Sequence, residues 1–501
     1  MNLTGLQSGE LILAAVLIPL MAALIIPLFY RAPNLRDAVT LISAIALLIV
    51  VTDLLPYIVS GDRPELFCLT IASGLGISFK VEPLGMLFSV VASSLWIVNS
   101  IYSIGYMRGH NEPRQTSFFV CFAVAISSVM GLAYSRDLFT LFIFYEILTL
   151  STYPLVSHKG NDSARSGARI YILLLLGTSM MLLLPAIFIT YSITGTLDFS
   201  SGGILGGNTS NSLLAVLLAL FVFGVGKAAL MPFHFWLPSA MVAPTPVSAL
   251  LHAVAVVKAG VFTILKVVIY IFGIDTLANS GQAEWLIYFS SFCLIIASLI
   301  ALKQSNLKAR LAYSTVSQLS YIVLGASLAT SASVTGGIMH IVMHALAKIT
   351  LFMCAGAIYI THHKTDVSEL NGIGRLMPVT MVAFLIASLS IIGLPPFGGT
   401  WSKWFLAIGA LDAGYQFAVA IFMVSSLLNV AYLLPIVSSA FFKPLPGVVD
   451  KDNVNIKEAP LACIIPIVIT AFGCLAMFFI AGELYDFIGL IGFNSEVVMA
   501  K

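Results

Sequence analysis

Runs of about 20 apolar residues, separated by short polar stretches, recur along the whole chain and predict membrane-crossing helices. Fourteen spans are expected. The first seven lie near 11–29, 37–59, 80–104, 117–134, 138–157, 169–193 and 213–231. The last seven lie near 245–271, 284–302, 310–327, 335–360, 377–411, 415–441 and 461–483. Two of them are expected to be broken. After Lys227, at the end of the seventh, Pro232, Pro238, Pro244 and Pro246 follow one another, and proline removes a backbone donor and clashes with the preceding turn. The twelfth is too long for one straight crossing and is interrupted at Gly393-Leu-Pro-Pro-Phe-Gly-Gly399, with Pro395 and Pro396 at its centre.

The predicted fold is an all-α polytopic membrane protein of about 14 transmembrane helices, a single integral membrane domain over 1–501. The two breaks stand five spans apart. An odd offset inverts the second relative to the first, the pattern of an inverted repeat with broken helices near the midplane. Little lies outside the spans. Residues 61–79 alternate as a short hairpin, 194–212 form a Gly/Ser/Asn-rich loop, and 443–460 form a charged loop.

Basic residues supply an orientation. Loops after odd-numbered spans carry Arg31, Arg36, Arg108, Arg114, Lys159, Arg165, Arg169, Lys303, Lys308, Arg310, Lys364, Arg375, Lys443, Lys451 and Lys457. Loops on the other side carry only Arg63, Lys80, Arg136 and Lys501. By the positive-inside rule, both termini are expected on the extracytoplasmic side of a plasma or inner membrane.

Composition agrees with this picture and excludes other classes. The 501 residues are 59% hydrophobic and only 9% charged, with a mean hydropathy of +1.03, against about 25% charged in a soluble domain. No basic tract of nucleic-acid type and no nucleotide fingerprint occurs. The six cysteines are scattered without a Cys-x-x-Cys pair and are read as packing residues, so no metal or cofactor is expected. The first apolar run is too long for a signal peptide's core and lacks a basic segment before it.

The remaining charge is concentrated where a membrane protein tolerates it least. Lys227, Lys258, Lys348 and Lys403 fall within spans, and at about 3 kcal/mol each they would cost on the order of 10 kcal/mol if uncompensated. Such cost points to ion passage or moving charge. Glu146, midway along the fifth span, is the expected partner of Lys227; a lone carboxylate there would instead stay protonated. Lys266 lies nearer a span end, where snorkelling to the interface is the simpler expectation. His252 and Lys258 are six residues apart and share a face only if their helix is distorted.

His340, His344 and Lys348 stand at i, i+4 and i+8 on one helical face, as a proton wire would require; the alternative is a set of structural hydrogen bonds. A metal site is disfavoured because no carboxylate or cysteine joins that face. Hydroxyls of Tyr313-Ser-Thr-Val-Ser-Gln-Leu-Ser320 either line this path or bond back to their own helix.

These residues resemble the antiporter-like subunits shared by respiratory complex I, membrane-bound hydrogenases and multisubunit Mrp-type cation/proton antiporters. The matching stretches are Tyr145-Glu146, Gly226-Lys227-Ala-Ala-x-x-Pro232-x-His234-x-Trp236-Leu-Pro238 and Ala243-Pro-Thr-Pro-Val-Ser-Ala-Leu-Leu-His252. They continue through Lys258-Ala-Gly260, Ala312-Tyr-Ser314 and Gly393-Leu-Pro-Pro396 ahead of Lys403.

The resemblance implies two inverted five-helix repeats (117–271 and 284–441) between N-terminal helices (1–110) and a C-terminal helix and tail (461–501). It also implies a hydrated axis through Glu146, Lys227, Lys258 and Lys403, with His252, His340, His344 and Lys348 as relays. Gln318 replaces a histidine found in many members. Lys403, the length and the absence of a long lateral C-terminal helix look most like the D-type subunit of Mrp-type antiporters.

The expected function is proton translocation within such an antiporter, beside other membrane subunits and with Na+ or K+ as the exchanged cation. The rival is the same channel driven by redox chemistry in a complex I or hydrogenase assembly. This chain carries no redox or hydrolytic site of its own, so partners would supply that chemistry. A stand-alone scaffold is disfavoured by the row of buried lysines.

Overall fold

The computed structural model describes residues 4–72, 75–206, 209–445 and 455–492. The final tail with Lys501 and the middle of the 443–460 loop with Lys451 lie outside the described residues. Eleven helices are long and apolar enough to cross a membrane. The other three expected spans are also helical. They are the short seventh (Asn211–Gly224), the hydroxyl-rich tenth (Leu307–Ser327) and the split twelfth (Pro378–Ile392 with Gly399–Asp412). The sixth begins at Asp162, before the expected 169, because the Asn161 side chain accepts a hydrogen bond from the Ala164 amide and caps it.

The protein is an all-helical polytopic membrane protein with one small sheet. Glu65–Ala72 pairs antiparallel with Leu75–Lys80, the hairpin expected within 61–79.

Burial orders the spans. The apolar windows of the eighth (Thr245–Phe272) and eleventh (Ser331–His362) are 100% and 94% buried, whereas those of the sixth, thirteenth and fourteenth are 33% buried. The two helices carrying most of the buried basic groups are therefore at the centre, and the apolar ones face lipid.

The first break lies upstream of its prolines. The seventh helix ends at Gly224, and Val225 leaves helical geometry at φ −80°, ψ 62°. Gly226–Ala228 makes a single 3-10 turn and Ala229 is left-handed. The close approach explains the glycines. A Cβ on Gly224 would collide with the Leu183 backbone, and one on Gly226 with the Thr178 hydroxyl. Both contacts fall on the sixth span around its π-turn Ser179–Leu183.

The prolines shape the connection into the eighth span. Pro232 precedes a 3-10 turn at Phe233–Phe235, Pro238 sits inside the short helix Trp236–Ser239, and Pro244 with Pro246 starts the eighth span. The placement of the break on these prolines is thus corrected to residues 225–229, while their role in preventing one continuous helix holds.

The twelfth span breaks where expected. Gly393 is left-handed at φ 89°, Pro395 and Pro396 lie in the connection, and helix resumes at Gly399. A third interruption was not legible. The eighth span passes through a π-turn at Leu250–Val254 and a kink at Ala255 (φ −112°, ψ −76°), between His252 and Lys258.

Candidate functional site

The break at 225–229 frees backbone groups and places Lys227 against the fifth span (Leu138–Val156). The Lys227 amide donates to the Tyr145 hydroxyl at 3.1 Å. Its ammonium donates to the Tyr145 carbonyl at 2.8 Å and to Thr149 Oγ1 at 2.6 Å, and sits 3.1 Å from the centroid of the Tyr145 ring. A fully buried cation is thereby solvated by one turn of one helix.

Glu146 is on that same turn, buried, with neither carboxyl oxygen hydrogen-bonded. The expected contact pair is not formed. No Lys227–Glu146 ion pair within 4.0 Å is present among the described residues, although the two interact through space. The lysine is docked beside its partner, on Tyr145 and Thr149, which sequence reasoning did not assign to it.

The eighth span runs close behind this dock. A Cβ on Gly260 would collide with the Lys227 carbonyl carbon and the Ala228 nitrogen, so glycine is needed there. Two residues before it, Lys258 reaches the other way. Lys258 Nζ is 2.6 Å from His344 Nδ1 on the eleventh span, and both side chains are buried. Only one of the two can hold the shared proton, since two protonated groups would point donors at each other. The His252 ring packs on Phe352 of the eleventh span, centroids 4.6 Å apart, and neither ring nitrogen has a partner. The π-turn and kink therefore bring His252 and Lys258 onto the same neighbour, as the six-residue spacing required.

From His344 the rings continue. His340 lies 5.8 Å away, centroid to centroid, with planes inclined by 19°. His340 Nε2 is 3.1 Å from Gln318 Oε1 and Nδ1 is 2.9 Å from Ser402 Oγ. Gln318 Oε1 only accepts, so in a neutral ring Nε2 carries the hydrogen and Nδ1 is free to accept from Ser402. Ser402 belongs to the second half of the twelfth span, one residue before Lys403.

Lys403 Nζ donates to the Ile392 carbonyl, at the end of the first half of that span, and to Ser426 Oγ, each at 2.9 Å. A helix C-terminus carries partial negative charge, so the break itself solvates the lysine. Lys403 also sits 4.8 Å from the centroid of Tyr321, whose ring stacks on His340.

Lys348 takes a side branch. It donates to Ser314 Oγ at 2.7 Å and the Leu311 carbonyl at 3.2 Å, and Ser314 lies 2.8 Å from the Tyr432 hydroxyl. The hydroxyl question in the tenth span has a divided answer. Ser314 and Ser317 reach other helices, while Thr315 and Ser320 bond back to their own.

Lys266 does not snorkel. It is fully buried, donates to the Ser135 carbonyl at 2.6 Å and lies 3.4 Å from Glu82 Oε2. Its partner comes from the start of the third span, far away in the chain, so no local signal pointed to it.

A family model described as NADH:quinone oxidoreductase/Mrp antiporter, TM, matches residues 135–429, more than half the chain. NADH-quinone oxidoreductase subunit N of Desulforudis audaxviator is 31% identical over 415 residues, 80% of this chain and 82% of that protein. One of the Na(+)/H(+) antiporter subunits of Alkalihalophilus pseudofirmus is 31% identical over 433 residues, 79% of this chain but only 52% of that longer protein. Among solved structures, a chain of the Mrp complex from Dietzia sp. superposes with a TM-score of 0.85 at 23% identity, covering 97% of this chain and 96% of that one. Helix count, breaks and sequence thus agree, and the chain belongs to the antiporter-like membrane family of NADH:quinone oxidoreductase and Mrp antiporter subunits.

Proposed function

We propose that this chain is the proton-translocating subunit of a multisubunit monovalent cation/proton antiporter, of the Mrp D-type. The observation that carries the reading is the row of buried basic groups crossing the molecule, from Lys227 through Lys258, His344 and His340 to Lys403. Each group touches a neighbour that can accept or return a proton, and histidine exchanges protons in the physiological range.

In this account Lys227 alternates between its dock on Tyr145–Thr149 and the unpartnered carboxylate of Glu146. When it leaves Glu146, positive charge moves toward Lys258 and favours proton release there. The shared Lys258–His344 proton passes to His340 and, through Ser402, reaches Lys403 at the second break. The mid-span breaks in the seventh and twelfth spans support reading 117–271 and 284–441 as two inverted halves, each holding one end of the path. The basic loop ends support placing both termini on the extracytoplasmic side. Other membrane subunits complete the complex, and Na+ or K+ is the exchanged cation. The test is cation-dependent proton flux in vesicles holding the native complex. Glu146→Ala and Lys227→Ala abolish flux with assembly intact, and normal flux in either would sink the proposal.

The second reading places the chain in a redox-driven complex. It is favoured by one comparison, since the chain spans 82% of the NADH-quinone oxidoreductase relative but only 52% of the Na(+)/H(+) antiporter relative. Purifying the native complex separates the two. Flavin or iron–sulfur absorbance supports the redox assembly, and a set of small membrane subunits without chromophore supports the antiporter.

A further inference from the structure

Where the charged loop ends gather, a cavity of about 190 Å³ opens between the two halves of the chain. Three lysines from three separate segments line it. They are Lys159 after the fifth span, Lys308 in the first turn of the tenth, and Lys364 after the eleventh. Tyr106, Tyr359 and Asn306 share the wall.

None of the three lysines has a carboxylate within 4.0 Å among the described residues. Lys308 spends one donor on the Ala243 carbonyl at 2.6 Å, which fixes its ammonium at the rim of the connection leading into the eighth span. Lys159 lies over the Tyr359 ring at 5.9 Å. Like charges converging in a concavity repel one another and focus a positive potential there. The arrangement is balanced only when an anion enters. A carboxylate brings one charge and two acceptors in a plane. A phosphate brings close to two charges and acceptors directed at all three ammoniums.

We propose that this pocket is a binding site for a phosphate-type oxyanion, held by Lys159, Lys308 and Lys364. The site is distinct from the proton path, since none of its lysines belongs to the buried row. The anion is either free phosphate or the phosphate of an acidic lipid headgroup.

The test titrates sodium phosphate into the purified native complex in detergent at constant ionic strength, with sodium chloride as the control. Saturable phosphate binding is expected, weakened at least tenfold by Lys159→Gln or Lys364→Gln. Lys159 is exposed and Lys364 half-buried in a loop, so both variants should fold. Nanodiscs separate the two sources. Binding that survives in discs containing phosphatidic acid identifies free phosphate, and binding lost there but present in phosphatidylcholine discs identifies the headgroup. The proposal is overturned if phosphate shows no saturable binding, or if both lysine variants bind it as the native chain does. It is also overturned if phosphate binds only after partner subunits are stripped away, because a partner's carboxylate would then be the occupant.

Discussion

Lys258 Nζ and His344 Nδ1 lie 2.6 Å apart, joining the eighth span to the eleventh at the buried centre of the molecule. Because one proton serves both, the pair acts as a single relay that is either loaded or empty. Lys258→Met removes the donor while nearly preserving the side chain's length. It is expected to lower proton flux by roughly a hundredfold, the scale at which positioned acid–base groups act. Flux measured in vesicles beside the amount of assembled complex checks this. Near-native flux at normal assembly would show that the relay is dispensable.

Thr149 determines where Lys227 rests. Replacing it with Val removes one of the two hydrogen bonds of the ammonium, worth about 1.5–3 kcal/mol for a charged donor. The lysine then shifts toward Glu146, so Thr149→Val should slow flux about tenfold or more while Thr149→Ser retains most of it. Equal flux in the two variants would argue that the hydroxyl plays no part.

The Lys266–Glu82 pair predicts a stability effect. Removing one partner of a buried ion pair strands the other, at about 3–5 kcal/mol. Glu82→Gln should therefore lower the thermal unfolding midpoint in detergent by several degrees. The double variant Glu82→Gln with Lys266→Met should recover much of that loss, because no stranded charge remains. Midpoints that fall additively would mean the two residues act separately.

Gly260 holds the eighth span against the break. Gly260→Ala pushes a methyl group into the Lys227 peptide and is expected to displace the lysine from its dock, reducing flux even though helix propensity improves. Flux and assembly measured together distinguish this from simple misfolding, and unchanged flux would contradict the close packing.

The spans were legible because lipid imposes a uniform rule: a crossing helix needs about 20 apolar residues, and all fourteen expected segments are helical. The family-specific prolines and lysines were equally visible. What escaped were features decided by contacts between distant segments. The break at Val225 depends on Gly224 and Gly226 nestling against Leu183 and Thr178, and the Gly-Val-Gly run was its only local trace. The π-turn at Leu250–Val254 contains no Gly or Pro, and its sequence is an ordinary helical one. Glu82 is nearly two hundred residues from Lys266, so the lysine read as a snorkelling side chain. Among the proton-path candidates, residue types marked the row. Their hydrogen-bond partners Thr149, Ser402 and Ser426 are common hydroxyls that carried no such mark.

The central claim is that one path runs through both halves of the chain. It is tested most directly by proton flux through the reconstituted native complex carrying Lys227→Ala, Lys403→Ala, or both. Groups acting in series are non-additive, so each single variant should abolish flux and the double should be no worse. Partial flux in each single variant, lost only in the double, would mean two independent paths and would contradict the account.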